Sequence, residues 1–186
     1  CEKLLARKRI VFRVIGNKQV GMGHIYRALS LAHEITDHEI IFVCDLDNSV
    51  AVNKLAGYDY RLDIYESGKV VENIVSLKPD LVINDILSTK EGDVLPLQQH
   101  GIKVVNFEDL GEGAKLADLT INELYDEAQF ESNNTLWGNQ YFFVREEFSN
   151  ATSHRFKKKV KNCIKHIKLW EFRCTFKSTI YFVNVW

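Results

Sequence analysis

The sequence predicts an α/β protein built on a doubly wound parallel sheet of the Rossmann type. Short apolar segments alternate along the chain with segments whose apolar residues recur at helical spacing. The first apolar segment is hydrophobic on both faces, as a central parallel strand is. A glycine loop, Gly21-Met-Gly23, then joins this strand to the first helix. With 186 residues, 46% of them hydrophobic, the chain can form one full domain, or one domain and part of a second.

The elements can be assigned in order along the chain. Strands are predicted at residues 9–16, 39–44, 59–65, 81–84, 103–107 and 119–122, with a seventh extended segment at 141–145. Helices are predicted at 24–36, from Asp47 or Asn48 to Ala56, at 68–77, and from a capping box of Ser88 and Glu91 through His100. Pro96 is expected to kink or shorten the last of these helices. This alternation predicts right-handed crossovers between parallel strands.

The glycine loop has three possible interpretations. A dinucleotide fingerprint, G-x-G-x-x-G, would need glycine where Tyr26 stands, so NAD and FAD are disfavoured. The phosphate loop G-x-x-x-x-G-K-[ST] is absent. The loop either only turns the chain or belongs to a sugar-nucleotide or phosphosugar site, since unpaired N–H groups at a helix start attract anions. His24 would then lie in the first helical turn, with Arg27 one turn further along the same face.

Polar side chains follow most of the predicted strands, at the edge where such sheets bind ligands. They are Asp45, Asp47, Asn84, Asp85, Glu108, Asp109, Asn122 and Glu123. Asp85 and Asp109 each lie close behind an apolar strand, and both substrate binding and helix capping remain open for them. Asp45-x-Asp47 resembles a metal-binding pair but has no third ligand, so capping is favoured and no metal site is predicted.

Composition narrows the possible partners. The net charge of −1 gives no general reason to expect nucleic acid or a membrane. The four cysteines, at positions 1, 44, 163 and 174, have no metal-binding spacing, which predicts reduced thiols in a cytoplasmic protein, with Cys44 in a buried strand. No signal peptide or 18-residue apolar run is present, so a soluble protein is expected. The start at Cys1 suggests a fragment of a longer chain.

Several segments together resemble one enzyme family. They are Gly21-Met-Gly-His-Ile-Tyr-Arg27, Ile83-Asn-Asp85, Asn106-Phe-Glu-Asp109, Ala117-Asp-Leu-Thr-Ile-Asn122 and Gly138-Asn-Gln-Tyr-Phe-Phe-Val-Arg-Glu-Glu-Phe148. They are similar to their counterparts in the UDP-2,4-diacetamido-2,4,6-trideoxy-β-L-altropyranose hydrolases of pseudaminic acid biosynthesis. The resemblance covers about residues 9–162 and implies the N-terminal lobe of a two-lobed GT-B fold. Residues 1–9 also look like the junction to an acylneuraminate cytidylyltransferase domain in fused proteins.

The resemblance implies a hydrolase in which His24 is the catalytic base. Water must be activated near neutral pH to attack the anomeric carbon and release UDP, and imidazole is suited to that task. A helix N-terminus disfavours imidazolium, so His24 is expected to be neutral and able to accept a proton. The predicted substrate-binding residues are Gly21, Gly23, Arg27, Asp85, Asp109 and Asn122, although Arg27 can instead pair with an acid at a strand end. Neither a cofactor nor a metal is implied.

Two departures from the family pattern affect the prediction. Leu87 stands where the hydrolases often carry a tyrosine, which puts the usual altropyranose substrate in doubt. The chain also has no glycine after Gly138, whereas the family continues into a glycine-rich second lobe that holds UDP. We therefore predict three parts: a linker at 1–8, the lobe at 9–154, and an atypical basic and aromatic tail at 155–186. Alone, this chain is expected to be nearly inactive.

Two other functions remain open. The module could belong to a CMP-sugar synthetase polypeptide, or it could be a glycosyltransferase that passes a sugar to an acceptor hydroxyl. Alternatively, the basic amphipathic segment 155–168 could lie on an anionic membrane or a nucleic acid, as part of a binding module without catalysis.

Overall fold

The computed structural model describes residues 7–142, which contain seven strands. The strands are β1 (Arg9–Val14), β2 (Glu39–Asp45), β3 (Arg61–Tyr65), β4 (Leu81–Asp85), β5 (Lys103–Phe107), β6 (Leu119–Asn122) and β7 (Thr135–Trp137). They form one sheet in the order β3-β2-β1-β4-β5-β6-β7, and every neighbouring pair is parallel. The predicted doubly wound, Rossmann-like α/β fold is confirmed.

Four α-helices connect the first five strands. They are α1 (Gly23–Glu34), α2 (Ser49–Leu55), α3 (Val70–Ser76) and α4 (Glu91–Gln99), with 3₁₀ turns at Ser67–Lys69, Glu112–Lys115 and Asn139–Tyr141. The apolar stripe of α1 predicted from its periodicity is buried at Ile25, Ala28, Leu29 and Ala32.

The sheet is covered on both faces because its central strands place apolar side chains on both of them. In β1, Phe12 packs in a cluster with α1 and α2, whereas the next residue back, Val11, packs in a second cluster with α3 and α4. Cys44 of β2 is fully buried, as predicted, and burial, with the nearby charge of Asp45, raises the pKa of its thiol to about 12.

The order of the strands reverses direction at β1, which has β2 on one side and β4 on the other. Val14, the last residue of β1, is in register with Asp85, the last residue of β4. The loops after these two strands therefore leave the sheet in different directions, and a crevice of this kind is where open α/β sheets bind ligands.

Helix α4 begins later than the capping-box pattern of Ser88 and Glu91 predicted. Its N-cap is Lys90, whose N–H donates to Asp93 Oδ2 at 2.9 Å. The reason is that Thr89 is held by Asp109 through both its N–H and its hydroxyl, so the chain cannot turn into the helix before residue 90. Pro96 lies inside this short helix, which ends at Gln99.

The seventh strand of the sheet lies earlier in the chain than the segment predicted at 141–145. The seventh strand is Thr135–Trp137, paired with β6, and Gly138 ends it with a φ of 108°. Tyr141 lies in a 3₁₀ turn instead, because the chain has already left the sheet. The rest of the predicted segment lies outside the described residues, as do most of the linker at 1–8, the boundary at 154 and the tail at 155–186.

Among residues 7–142, none of the helices combines the length and the apolar character that crossing a bilayer requires.

Candidate functional site

The glycine loop connects β1 to α1 and is built around a local turn. Asn17 Oδ1 accepts from the N–H groups of Gln19 and Val20, and Gly21 N donates to Asn17 O at 2.9 Å. Gly21 has a φ of 81°, which favours glycine. A Cβ placed on Gly21 or Gly23 would meet no atom within 4 Å, so open space lies beside both positions.

A third glycine, Gly16, holds this loop against the helices, and the sequence analysis did not single it out. A Cβ at Gly16, just after β1, would clash with the end of the Ile25 side chain and lie 3.0 Å from Ala51 Cβ, so any larger residue there requires Ile25 to move. Its N–H donates to Asn48 Oδ1 at 3.0 Å, and its carbonyl accepts from Ala51 N at 3.0 Å. These hydrogen bonds tie the loop after β1 to the start of α2.

His24 lies in the first turn of α1, as predicted, and faces the end of β4. Its Nδ1 is 2.5 Å from Asp85 Oδ1. A carboxylate can only accept a hydrogen bond, so the hydrogen of a neutral imidazole lies on Nδ1 and Nε2 carries the lone pair. The side chain of His24 is 12% exposed, and no residue in the described part of the chain binds Nε2. The geometry is that of a base oriented by a buried acid.

Arg27 binds the same carboxylate in a bidentate ion pair. Nε donates to Asp85 Oδ2 at 2.7 Å and Nη2 donates to Asp85 Oδ1 at 2.6 Å. Of the two roles left open for Arg27, the structure shows pairing with a strand-end acid. Asp85 is 1% exposed and both of its oxygens are occupied, so it acts inside the protein, where it orients His24.

The remaining donor of Arg27 joins it to two further acids. Nη1 donates to Glu123 Oε1 at 2.5 Å and lies 4.0 Å from Glu108 Oε1. The guanidinium carbon also lies 5.1 Å from the centre of the Phe107 ring, a cation–π contact. One arginine thus spans the ends of β4, β5 and β6.

Burial and charge act in opposite directions on this cluster. Burial by itself lowers the pKa of Arg27, but the hydrogen bonds and charges of Asp85 and Glu123 outweigh it, so the pKa of Arg27 is raised. Burial raises the pKa of Glu108, and the nearby Arg27 only partly opposes this. The cluster therefore keeps Arg27 charged, and Glu108 holds its proton to higher pH than an exposed glutamate does.

Asp109 is completely buried and holds two loops together. Its carboxylate accepts from Thr89 N, Thr89 Oγ1, Asn106 Nδ2 and Gly111 N. These four internal donors and the burial of the side chain give Asp109 a structural role, and substrate binding by Asp109 stays a prediction.

Asn122, at the end of β6, is also buried and hydrogen-bonded inside the protein. Its Oδ1 accepts from Asp109 N at 2.8 Å, and its Nδ2 donates to Asp109 O at 3.0 Å. The side chain is 0% exposed, so it fixes the turn after β5 and does not reach a substrate directly. The sequence placed both residues at the correct edge of the sheet but could not show that they bind each other.

The predicted capping residues at the end of β2 form a turn. Asp45 Oδ1 accepts from Asp47 N and from Asn48 Nδ2, and Asp47 Oδ2 accepts from the hydroxyl of Ser67. Within the part of the chain that the structure describes, no group of three or more His, Cys, Asp or Glu side chains is arranged to hold a metal ion.

Leu87 follows β4 with a φ of 71° and is 42% exposed. A bulky residue in this conformation is uncommon, and it places an apolar side chain on the surface beyond the strand end. This is the position where the resembling hydrolases often carry a tyrosine.

Glu108 and Glu123 were recognised in the sequence only as acids behind strands. The structure brings both into the Arg27 cluster, where they are 8% and 4% exposed. A signal was present, since each follows an apolar strand ending, as Asp85 does. Their contact with a helix far away in sequence could not be derived from that signal.

Comparison with known proteins gives a related sequence whose name states no activity. No protein-family model matches the chain. A curated relative, the uncharacterized protein MJ1062 of Methanocaldococcus jannaschii, is 32% identical over 146 residues, which is 72% of this chain and 30% of the relative. The chain therefore spans about a third of the length of that relative. Because the relative's name states no activity, the case for a function rests on the site itself.

Proposed function

We propose that this chain carries the N-terminal, base-bearing lobe of a nucleotide-sugar hydrolase, similar to the UDP-sugar hydrolases of pseudaminic or sialic acid biosynthesis. In the proposed reaction, His24 Nε2 takes a proton from water as the water oxygen bonds to the anomeric carbon. The bond from that carbon to the phosphate oxygen breaks, and UDP leaves with the electron pair. The observation that carries the proposal is the 2.5 Å contact between His24 Nδ1 and Asp85 Oδ1.

This contact supports a base because it fixes both the tautomer and the orientation of the ring. With the hydrogen on Nδ1, the lone pair of Nε2 is free for a proton from water. Positioned general bases contribute about 10²–10⁴-fold in rate.

The start of α1 supports an anionic ligand such as a diphosphate. The helix has no side-chain cap and no acidic residue in its first turn. Its first N–H groups therefore lack the partner that a capping Ser, Thr, Asp or Asn usually supplies. Open space beside Gly21 and Gly23 allows a ligand to approach the backbone closely.

The proposal is tested by UDP release from a panel of UDP-sugars, using the longest natural polypeptide that carries this sequence. His24→Gln should lower the rate by about 10²-fold or more. The matched control is His33→Gln, which alters an exposed histidine at the other end of the same helix and should leave the rate unchanged.

A His24→Gln variant as fast as the parent would remove His24 as the base. Release of UDP only when an acceptor alcohol is present, or turnover of CMP-sugars alone, would replace the hydrolase by a transferase or a cytidylyltransferase module. A cytoplasmic location, where nucleotide sugars would be available, is part of the same proposal and is tested by fractionation of the source cells.

A further inference from the structure

The guanidinium of Arg27 is held from two sides. Asp85 occupies Nε and Nη2, and Glu123 occupies Nη1 at 2.5 Å. Both acids are almost completely buried, so neither contact is weakened by competition from water. The rotation of the Arg27 fork, and with it the position of the Asp85 carboxylate, therefore depends on where Glu123 lies.

Glu108 in turn fixes the backbone of Glu123. Its Oε1 accepts from Glu123 N at 2.6 Å and from Leu124 N at 3.2 Å. Glu108 itself has a φ of 51°, a conformation that non-glycine residues rarely adopt, and its N–H donates to Ile121 O at 2.9 Å. Contacts on both sides hold the residue in this turn, as over-determined strained residues require.

These contacts do not explain one carboxylate oxygen of Glu108. Glu108 Oε2 is buried without a hydrogen-bond partner among residues 7–142, in a side chain that is 6% exposed. A buried polar atom left in this state has a cost in stability, so a purely structural position would be better filled by a residue without it. The acid lies beside the arginine that orients Asp85, which suggests a role in the site.

We infer that Glu123 and Glu108 are positioning residues for His24, which act through Arg27 and Asp85 to keep the ring hydrogen on Nδ1. Four contacts carry this chain of effects: Glu108 to the backbone of Glu123, Glu123 to Arg27, Arg27 to Asp85, and Asp85 to His24. The catalytic consequence rests on the proposed function, whereas the effect on the tautomer does not.

A merely structural role makes a different prediction. If the two glutamates only stabilise the fold, their replacement lowers the unfolding midpoint but leaves the His24 tautomer unchanged in the folded protein. If they position the ring, the tautomer shifts while the fold remains intact. In that case Asp85 is displaced and favours the tautomer with the hydrogen on Nδ1 less strongly.

The experiment is nitrogen NMR of the folded chain labelled with ¹⁵N-histidine, with His24 assigned by the signal lost in His24→Gln. In the parent, Nδ1 should carry the hydrogen and Nε2 should not. In Glu123→Gln, and more weakly in Glu108→Gln, the ratio of the Nδ1–H to the Nε2–H form should fall by roughly threefold or more. Glu112→Gln, the same change at an exposed glutamate between β5 and β6, should leave the ratio unchanged.

An unchanged ratio in folded Glu123→Gln and Glu108→Gln would overturn the inference. If neither variant folds, Arg27→Lys provides the same test, because it keeps the charge but cannot bind Asp85 and Glu123 through one planar fork. The two proposals can also fail separately. A shifted ratio, together with no UDP release from the longest natural polypeptide, refutes only the hydrolase. A His24-dependent hydrolase with an unshifted ratio refutes only the positioning role.

Discussion

His24 Nδ1 and Asp85 Oδ1 lie 2.5 Å apart although the two residues are separated by 61 positions in the sequence. His24 lies in the first turn of α1 and Asp85 ends β4, and they meet because β1 and β4 are neighbours with Val14 and Asp85 in register. The contact is thus a direct product of the reversal in strand order at β1. An acid of the sheet and a base of the first helix are joined at that reversal.

Asp85→Asn should reduce turnover of the protein that remains folded. An asparagine amide can donate to Nδ1, which would reverse the tautomer and remove the lone pair from Nε2. We expect kcat for UDP release to fall by about 10²–10⁴-fold. Asp80→Asn changes an acid that binds Lys8 instead and should keep the parent rate. A parent-like rate in Asp85→Asn would show that the acid does not orient the base.

Arg27→Met should destabilise the protein strongly. It leaves Asp85 and Glu123 buried without their common cation, and breaking a buried pair in this way costs about 3–5 kcal/mol. Arg61→Met removes a pair with Asp63 in which the arginine is 52% exposed, and should cost at most about 1 kcal/mol. Urea unfolding of both variants measures the difference, and similar losses would contradict the buried geometry.

Glu108 and Asp118 should give opposite pH dependences of stability. Burial raises the pKa of Glu108 above its ordinary value of 4.5, so the folded state binds the proton more tightly. That contribution is fully present below pH 4.5 and is lost as pH rises through the folded-state pKa. The advantage of the parent over Glu108→Gln in free energy of unfolding should therefore shrink as the pH rises.

For Asp118 the pH dependence of stability is opposite to that for Glu108. Burial raises its pKa, but hydrogen bonds from Lys103, Val104 N and Gln98 outweigh burial and lower it below its ordinary value of 3.8. Its contribution is present above that value and is lost as pH falls through the folded-state pKa. The cost of Asp118→Asn should shrink on acidification. Parallel trends for the two variants in urea unfolding between acid and neutral pH would refute both assignments.

Gly23→Ala should separate ligand binding from folding. A Cβ at Gly23 meets no atom within 4 Å and the residue has no positive φ, so the unfolding midpoint should be kept or slightly raised. If an anion binds against this backbone, the methyl group should weaken its binding. Binding of UDP, followed by calorimetry or by NMR shifts of the His24 amide, measures the effect.

Gly21→Ala is the companion variant, because its φ of 81° makes alanine strained whatever the available space. It should lower the free energy of unfolding by about 1 kcal/mol.

If the parent and Gly23→Ala bind UDP with equal affinity, the anion does not bind against the backbone of Gly23.

The elements of the fold follow from local patterns in the sequence. The β5 strand at Lys103–Phe107 and the β6 strand at Leu119–Asn122 agree with their predicted bounds, because short apolar runs that contain β-branched residues favour strands. The start of α4 and the position of β7 could not be derived in this way. The start of α4 depends on the hydrogen bond from Thr89 to Asp109, and the position of β7 depends on its pairing with Thr120. Neither contact leaves a local pattern in the sequence.

The sequence alone determined that this chain alternates strand and helix, that its glycine loop opens a helix carrying His24 and Arg27, and that acids follow the strands. These are properties of short segments, set by side-chain size, polarity and periodicity. Only the tertiary structure decided which acids act together: Asp85, Glu108 and Glu123 share Arg27, whereas Asp109 and Asn122 bind each other. The physical reason is that strand order and side-chain direction at the sheet edge set these distances, and both arise only when the whole sheet packs.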